Sequence, residues 1–140
     1  GIIMDYKILI EKALTAREHA YAPYSNYLVG ACLLTEDNIM YTGCNIENAS
    51  YGGTVCAERT AIFKAVSEGV RRIKAIAIVG GVKNRTIDSY AFPCGICRQV
   101  MREFSDPEKF VIIVAKSTDD FKEYTLDQLL PDSFGPDFKG

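Results

Sequence analysis

Cys56, Glu58, Cys94 and Cys97 are the residues from which metal chemistry can be built in this chain. They fall in two short motifs, Cys56-Ala57-Glu58 and Pro93-Cys94-Gly95-Ile96-Cys97. Three thiols and one carboxylate so spaced can hold a zinc ion and set a proton shuttle beside it. A closed structural zinc site takes four protein ligands, whereas a catalytic one keeps three and leaves the fourth position to water. The ligand count therefore leans toward chemistry. Cys94 and Cys97 are three residues apart and so share one side of a helical turn. Three thiolates on Zn2+ leave a surplus negative charge, which Arg59, next to Glu58, is placed to offset. A lone Cys-x-x-Cys would serve as well for a redox pair or half of a structural zinc site. Thioredoxin-type chemistry, however, would need neither Cys56 nor Glu58.

These residues need elements to hold them. The chain from Asp5 to about Tyr21 reads as an amphipathic helix, with Leu9, Ala13, Ala16 and Ala20 on one face and Pro23 as its stop. Tyr27 to Leu34 and Ile39 to Gly43 read as a hairpin around Thr35-Glu36-Asp37-Asn38. A polar loop, Asn45 to Gly53, follows. Thr54 is the expected N-cap of a second helix with an apolar stripe of Ala57, Ala61, Ile62, Ala65 and Val66, ended by Gly69. Ile73 to Val79 is apolar on both faces apart from Lys74, as a buried central strand should be. Gly80 to Phe92 reads as a long loop, Cys94 to Phe104 as a third helix and Phe110 to Ala115 as a further strand. A weak strand at Phe121 to Tyr124 and a short helix from Thr125 to Leu130 complete the pattern.

Both cysteine motifs then open helices, where unpaired backbone N–H groups and the helix dipole favour anions and lower thiol pKa values. A strand, helix, strand order around Cys94 predicts a right-handed parallel crossover. Together with the hairpin it predicts an α/β fold, a three-layer α/β/α domain on a mixed sheet of roughly five strands.

The chain has 140 residues, enough for one compact domain with a real core and too few for two. Gly1 to Ile3 read as an added leader before a natural start at Met4. A formal net charge of -2 and the absence of a basic run speak against a nucleic-acid partner. No apolar run reaches the ~18 residues of a membrane span. Five cysteines, an odd number, without a secretory leader suit a reducing cytoplasm with metal-bound or free thiols. Cys32 and Cys44, on strand-like segments, read as buried packing residues, and His19 as a surface or packing residue of the first helix.

The motif pair is similar to the zinc deaminase pattern His-x-Glu followed by Pro-Cys-x-x-Cys, with Cys56 in place of the histidine. From about Ala22 to Phe134 the chain resembles the cytidine deaminases, in their short, all-cysteine, homotetrameric form. The resemblance rests on Ala22-Pro23-Tyr24-Ser25, Val29-Gly30-Ala31, Gly43 to Ala49, Cys56 to Ala61, Pro93 to Gln99 and Leu129-Leu130-Pro131. It implies Cys56, Cys94 and Cys97 as zinc ligands, one Zn2+ per subunit, Glu58 as proton shuttle and Arg59 as the thiolate-neutralising arginine. It further implies that Asn45 and Glu47 hold the ribose 3′-hydroxyl and that the backbone of Ala57 reads the pyrimidine edge. Tyr27 stands where the family usually has a ring-packing Phe. Phe92 stands where Ser is common and where the backbone carbonyl accepts from the leaving amino group. Tyr51 and Phe134 match residues that complete a neighbouring subunit's site.

The activity so implied is hydrolysis of the C4 amino group of cytidine and deoxycytidine, a step of pyrimidine salvage carried out by a cytoplasmic homotetramer. Glu58 would take a proton from water, pass it to ring N3 and then protonate the departing amine. A carboxylate at Glu47 accepts strongly from a hydroxyl and repels phosphate, which favours a free nucleoside over a nucleotide. Two other readings stand beside this one. A related zinc deaminase for another aminopyrimidine, such as a cytosine-bearing antibiotic or a nucleotide, is opposed by Asn45 and Glu47. A non-enzymatic zinc domain is opposed by Glu58, for which a structural site has no use.

Overall fold

The computed structural model describes residues 5–138, so the reading of Gly1 to Ile3 lies outside the described residues. Helix α1 spans Tyr6–Arg17 and is capped by Asp5, whose carboxylate accepts from the Lys7 N–H at 2.9 Å. It ends earlier than the expected Tyr21, because the chain there leaves the helix to bridge Tyr21 to Ile46. His19 is accordingly exposed in the turn beyond α1 rather than on the helix. Strands β1 (Tyr27–Thr35) and β2 (Met40–Cys44) form the predicted antiparallel hairpin, with Asn38 in the left-handed region at φ 62°.

A 3-10 turn at Tyr51–Gly53 precedes α2 (Ala57–Ser67). The cap of α2 is Cys56, not Thr54. Thr54 instead closes the 3-10 turn, and its hydroxyl accepts from the Asn48 N–H at 3.1 Å. Gly69, at φ 102°, turns the chain out of the helix as its lack of Cβ allows. Then follow β3 (Ile73–Val82), α3 (Gly95–Phe104), β4 (Val111–Ser117), β5 (Asp120–Thr125) and α4 (Leu126–Leu129). Strand β3 runs three residues past the expected Val79, so the irregular chain ahead of Cys94 starts at Lys83 rather than Gly80.

The sheet has the order β2-β1-β3-β4-β5, with β3 central. Among the strands of the described sheet, β3 and β4 alone pair in parallel, across the crossover that contains α3. Alternation along β3 divides the core: Ala75, Ala77 and Val79 meet Leu9, Ile10 and Ala13 of α1, while Ile76 and Ile78 meet Ala61 and Ile62 of α2 and Met101 of α3. Helices thus cover both faces, giving the three-layer α/β/α arrangement on a mixed five-stranded sheet. Glycine sets the closeness of the layer that carries the chemistry. A Cβ on Gly43 would stand 2.6 Å from both the Ala57 carbonyl oxygen and the Ala61 nitrogen, so the first turn of α2 rests directly on β2.

Candidate active site

Two helix starts converge beside the sheet. Cys56 caps α2 and Cys94 caps α3, while Cys97 lies in the first turn of α3. The three sulfurs all lie within 4.8 Å of one another. Cys56 Sγ and Cys94 Sγ are 3.7 Å apart, close to the ~3.8 Å between two sulfurs tetrahedrally bound at ~2.3 Å to one zinc ion. Cys94 Sγ also accepts from the Cys97 N–H at 3.5 Å. Cys56, although an N-cap, makes no side-chain capping bond of its own. Its sulfur is given over to the cluster and to Arg59, whose Nη2 donates to it at 3.5 Å.

The electrostatics of the cluster follow from these contacts. The Cys56 thiol is brought down to about 5, chiefly by a hydrogen bond from Cys97 and then by Arg59 and Cys94, against the opposing effect of burial. Cys97 is pushed up by the same bond to Cys56 and by burial, and so acts as the donor of the pair. Arg59 is raised by its bond to the Cys56 sulfur and stays charged. Its Nε is buried and has no hydrogen-bond partner among the described residues. Three converging soft donors with a guanidinium beside them are a donor set that fits zinc.

Glu58 is the next residue of functional interest on α2 and is only 4% exposed. Burial raises its carboxyl to about 7, with the Cys56 charge adding, while its own backbone N–H, the Cys97 thiol and Arg59 pull the other way. A carboxyl balanced near neutrality can both take and return a proton. It opens onto a cavity of about 480 Å3 lined by Cys56, Ala57, Glu58 and Cys94 together with Tyr27, Asn45, Glu47 and Phe92. Eight of the residues singled out in the sequence therefore share one cavity.

Another part of the cavity wall is built from loop chain. Asn45 is buried, its Oδ1 accepting from the Val29 N–H at 2.9 Å and its Nδ2 donating to the Tyr27 carbonyl at 2.8 Å. The amide thus splices the loop to β1 and still carries one unspent N–H. Glu47 Oε1 accepts from the backbone N–H groups of Tyr24 (2.9 Å) and Ser25 (3.1 Å), and Oε2 accepts from Ser25 Oγ at 2.5 Å. The Ser25 hydroxyl, before the two backbone bonds, keeps Glu47 below the usual carboxylate range despite some desolvation. Three of roughly four acceptor positions are used, leaving one for a further donor.

Four of the named residues do not line the cavity, the fully buried Cys97 among them. Tyr51 is exposed, edge-on to Tyr24 at 6.0 Å, and borders an adjoining recess of about 360 Å3 that also contains Glu47 and Ser25. Phe134 is 88% exposed and does not line the cavity of its own chain. Its carbonyl accepts from Gln99 Nε2 at 2.8 Å, which ties the tail to α3. Arg59 stands behind the thiols and not in the cavity wall. Cys32 is fully buried on the α1 side, its thiol pushed up to about 11 by burial, whereas Cys44 is only half-buried, short of the full burial expected.

Ser25, Val29, Thr54, Val55, Ile78, Tyr90 and Ala91 also line the cavity, although nothing in the sequence marked them as part of it. Tyr90 and Ala91 sit in the irregular chain before Cys94, where only the proximity of an aromatic to Pro93 hinted at a role. Ser25 stood inside a quoted motif, but its bond to Glu47 spans 22 residues and has no local signal.

Comparison with known proteins matches this geometry. The family described as the cytidine and deoxycytidylate deaminase zinc-binding region matches residues 4–114. The chain is a member of the cytidine deaminase family. It is 50% identical over 131 residues to a cytidine deaminase of Halalkalibacterium halodurans, covering 94% of this chain and 95% of the relative. The corresponding protein of Sporosarcina psychrophila is 47% identical over 131 residues, covering 94% and 92%. The crystal structure of cytidine deaminase from Burkholderia pseudomallei superposes with a TM-score of 0.84 at 46% identity, covering 94% of this chain and all of that one. Membership agrees with a zinc cofactor held at Cys56, Cys94 and Cys97, the cluster positioned to bind a metal ion. Among the described residues, no helix is long and apolar enough to cross a membrane.

Proposed function

We propose that this chain is a zinc-dependent hydrolase that converts cytidine and deoxycytidine to uridine and deoxyuridine with release of ammonia, serving pyrimidine salvage. The observation that carries this reading is an unligated, buried Glu58 in the same cavity wall as two of three converging thiols. Its family membership and its relatives, which are named cytidine deaminases, support it.

Zinc bound by Cys56, Cys94 and Cys97 supplies the Lewis acidity that makes water a nucleophile near neutral pH. The remaining work falls to side chains and backbone. Glu58, buried and balanced near neutrality, takes a proton from the attacking water and delivers it to ring N3, which opens C4 to attack. The resulting carboxylate then takes the remaining proton from the hydroxyl added at C4 and passes it to the amine as the C4–N bond breaks. This leaves the C4 carbonyl and releases ammonia. The backbone of Ala57 reads the pyrimidine edge, and the Phe92 carbonyl accepts from the leaving amino group. Tyr27 packs near the ring. Asn45 and Glu47 hold the 3′-hydroxyl, using the unspent amide N–H of one and the remaining acceptor position of the other. A site that reads only the 3′-hydroxyl accepts ribose and deoxyribose alike. The fixed negative charge of Glu47 disfavours a phosphorylated sugar.

The 140 residues act as a single domain in a cytoplasmic homotetramer, in which Tyr51 and Phe134 complete a neighbouring subunit's site. The exposure of both rings and the anchoring of the tail through Gln99 support that part of the reading. An ultraviolet assay of zinc-loaded protein, fractionated by size, tests the whole. We expect loss of both cytidine and deoxycytidine absorbance, confined to the oligomeric fraction. Absence of turnover refutes the enzymatic reading, and an active monomer refutes the shared site.

A further inference from the structure

The irregular chain between β3 and Cys94 forms one wall of the cavity through Tyr90, Ala91 and Phe92, and it is pinned from outside the site. The Tyr90 hydroxyl donates to Asp120 Oδ1 at the start of β5. Its ring has the ammonium of Lys116 at 4.7 Å and that of Lys122 at 4.8 Å from the ring centroid. Phe92 meets Tyr124 of β5 edge-on at 5.5 Å. Ala91 packs over Gly80, where an added Cβ would stand only 2.9 Å from the Ala91 Cβ and 3.1 Å from the Tyr27 ring. The wall therefore leans on the edge strand on one side and on β3 on the other. Asp120 is exposed, lines no part of the cavity, and reaches it only through Tyr90.

We propose that Tyr90 is a specificity-determining wall of the nucleoside site and that Asp120, acting through the Tyr90 hydroxyl, is its positioning residue. This rests on the deaminase reading above. The aromatic ring of Tyr90 is large enough to set the width of the cavity, but a solvent-facing loop can hold it in place only if its far end is tied down. One hydroxyl–carboxylate bond and two lysine–ring contacts supply that tie. An error in the position of Tyr90 changes how the nucleoside is seated and leaves Glu58 and the thiols untouched, since those stand on α2 and α3.

The test is steady-state kinetics with cytidine on the zinc-loaded full chain, comparing wild type, Tyr90→Phe, Asp120→Ala, Asp120→Asn and the Tyr90→Phe/Asp120→Ala double variant. Zinc content is measured for each. Although its acceptor is a carboxylate, the bond is exposed to solvent, so the range of an ordinary net hydrogen bond, about a 2- to 12-fold change, applies. We expect KM to rise by a factor in that range in Tyr90→Phe and in Asp120→Ala, with kcat within about twofold and zinc content unchanged. Asp120→Asn, which keeps an acceptor, should recover most of the loss. The double variant should be no worse than either single one, because Asp120 has nothing left to hold once the hydroxyl is gone. An unchanged KM in active Asp120→Ala overturns the proposal, as do single effects that multiply in the double variant. An inactive zinc-loaded wild type overturns the deaminase reading and this proposal together, and is recognised before any variant is compared.

Discussion

Cys56, Glu58, Cys94 and Cys97 all lie within three residues of a helix start, whereas Asn45 and Glu47 sit on irregular chain in the wall of the same cavity. At the metal end the backbone does most of the positioning. Regular helical geometry fixes Glu58 relative to Cys56 and Cys97 relative to Cys94, and Gly43 lets the first turn of α2 rest on the sheet. Around Asn45 and Glu47 no helix is available, and side chains must do the work. Asn45 joins the loop to β1 through two hydrogen bonds, and Glu47 is gripped by three donors from Tyr24 and Ser25. The two carboxylates differ accordingly. Burial raises Glu58 toward neutrality, and hydrogen bonding holds half-buried Glu47 in its charged form. One is set up to exchange a proton and the other to keep a charge.

That contrast predicts a division between turnover and binding. The largest effect is expected from Glu58→Gln, with kcat for cytidine lower by about 10²–10⁴-fold, the range of positioned acid–base groups. Zinc content should remain that of wild type, because Glu58 is not one of the three converging donors. Near-normal turnover in that variant would remove the distinction between the two ends. Next comes Glu47→Gln. A hydrogen bond to a charged group contributes about 1.5–3 kcal/mol, so KM should rise by roughly 10- to 100-fold while kcat falls much less. A collapse of kcat with unchanged KM would assign Glu47 to the chemistry instead of to the sugar.

Ser25→Ala is expected to have the smallest effect and to depend on pH. The folded-state carboxyl of Glu47 is lowered, so its contribution to stability is present above the unfolded carboxylate value and fades as pH falls through the lowered folded value. Removing the hydroxyl should lower Tm modestly at pH 7, with the gap to wild type closing as the solution is acidified into that range. Differential scanning calorimetry at several pH values checks this. A gap that widens on acidification would contradict the sign.

The metal end was legible in the sequence because its information is local. Cys56-Ala57-Glu58 and Cys94-Gly95-Ile96-Cys97 encode their geometry in short spacings, and a helix turns those spacings into positions with little help. The same locality made α2, α3, the hairpin and the central β3 readable from apolar periodicity. Boundaries failed where a distant partner intervened. Helix α1 stopped early as the chain moved to bridge Ile46, and Cys56 displaced Thr54 as the cap of α2 when the 3-10 turn claimed Thr54.

What the sequence determined by itself is the donor set, the acid beside it and the layered fold that carries both. Only the tertiary structure decided that the Cys56 and Cys94 sulfurs meet at 3.7 Å, that Ser25 holds Glu47, and that Tyr90 is tied to β5. Each of those contacts joins residues at least 22 positions apart. Chain spacing carries no distance information over such separations, and only the pairing of strands and the packing of helices on the sheet brings the partners together.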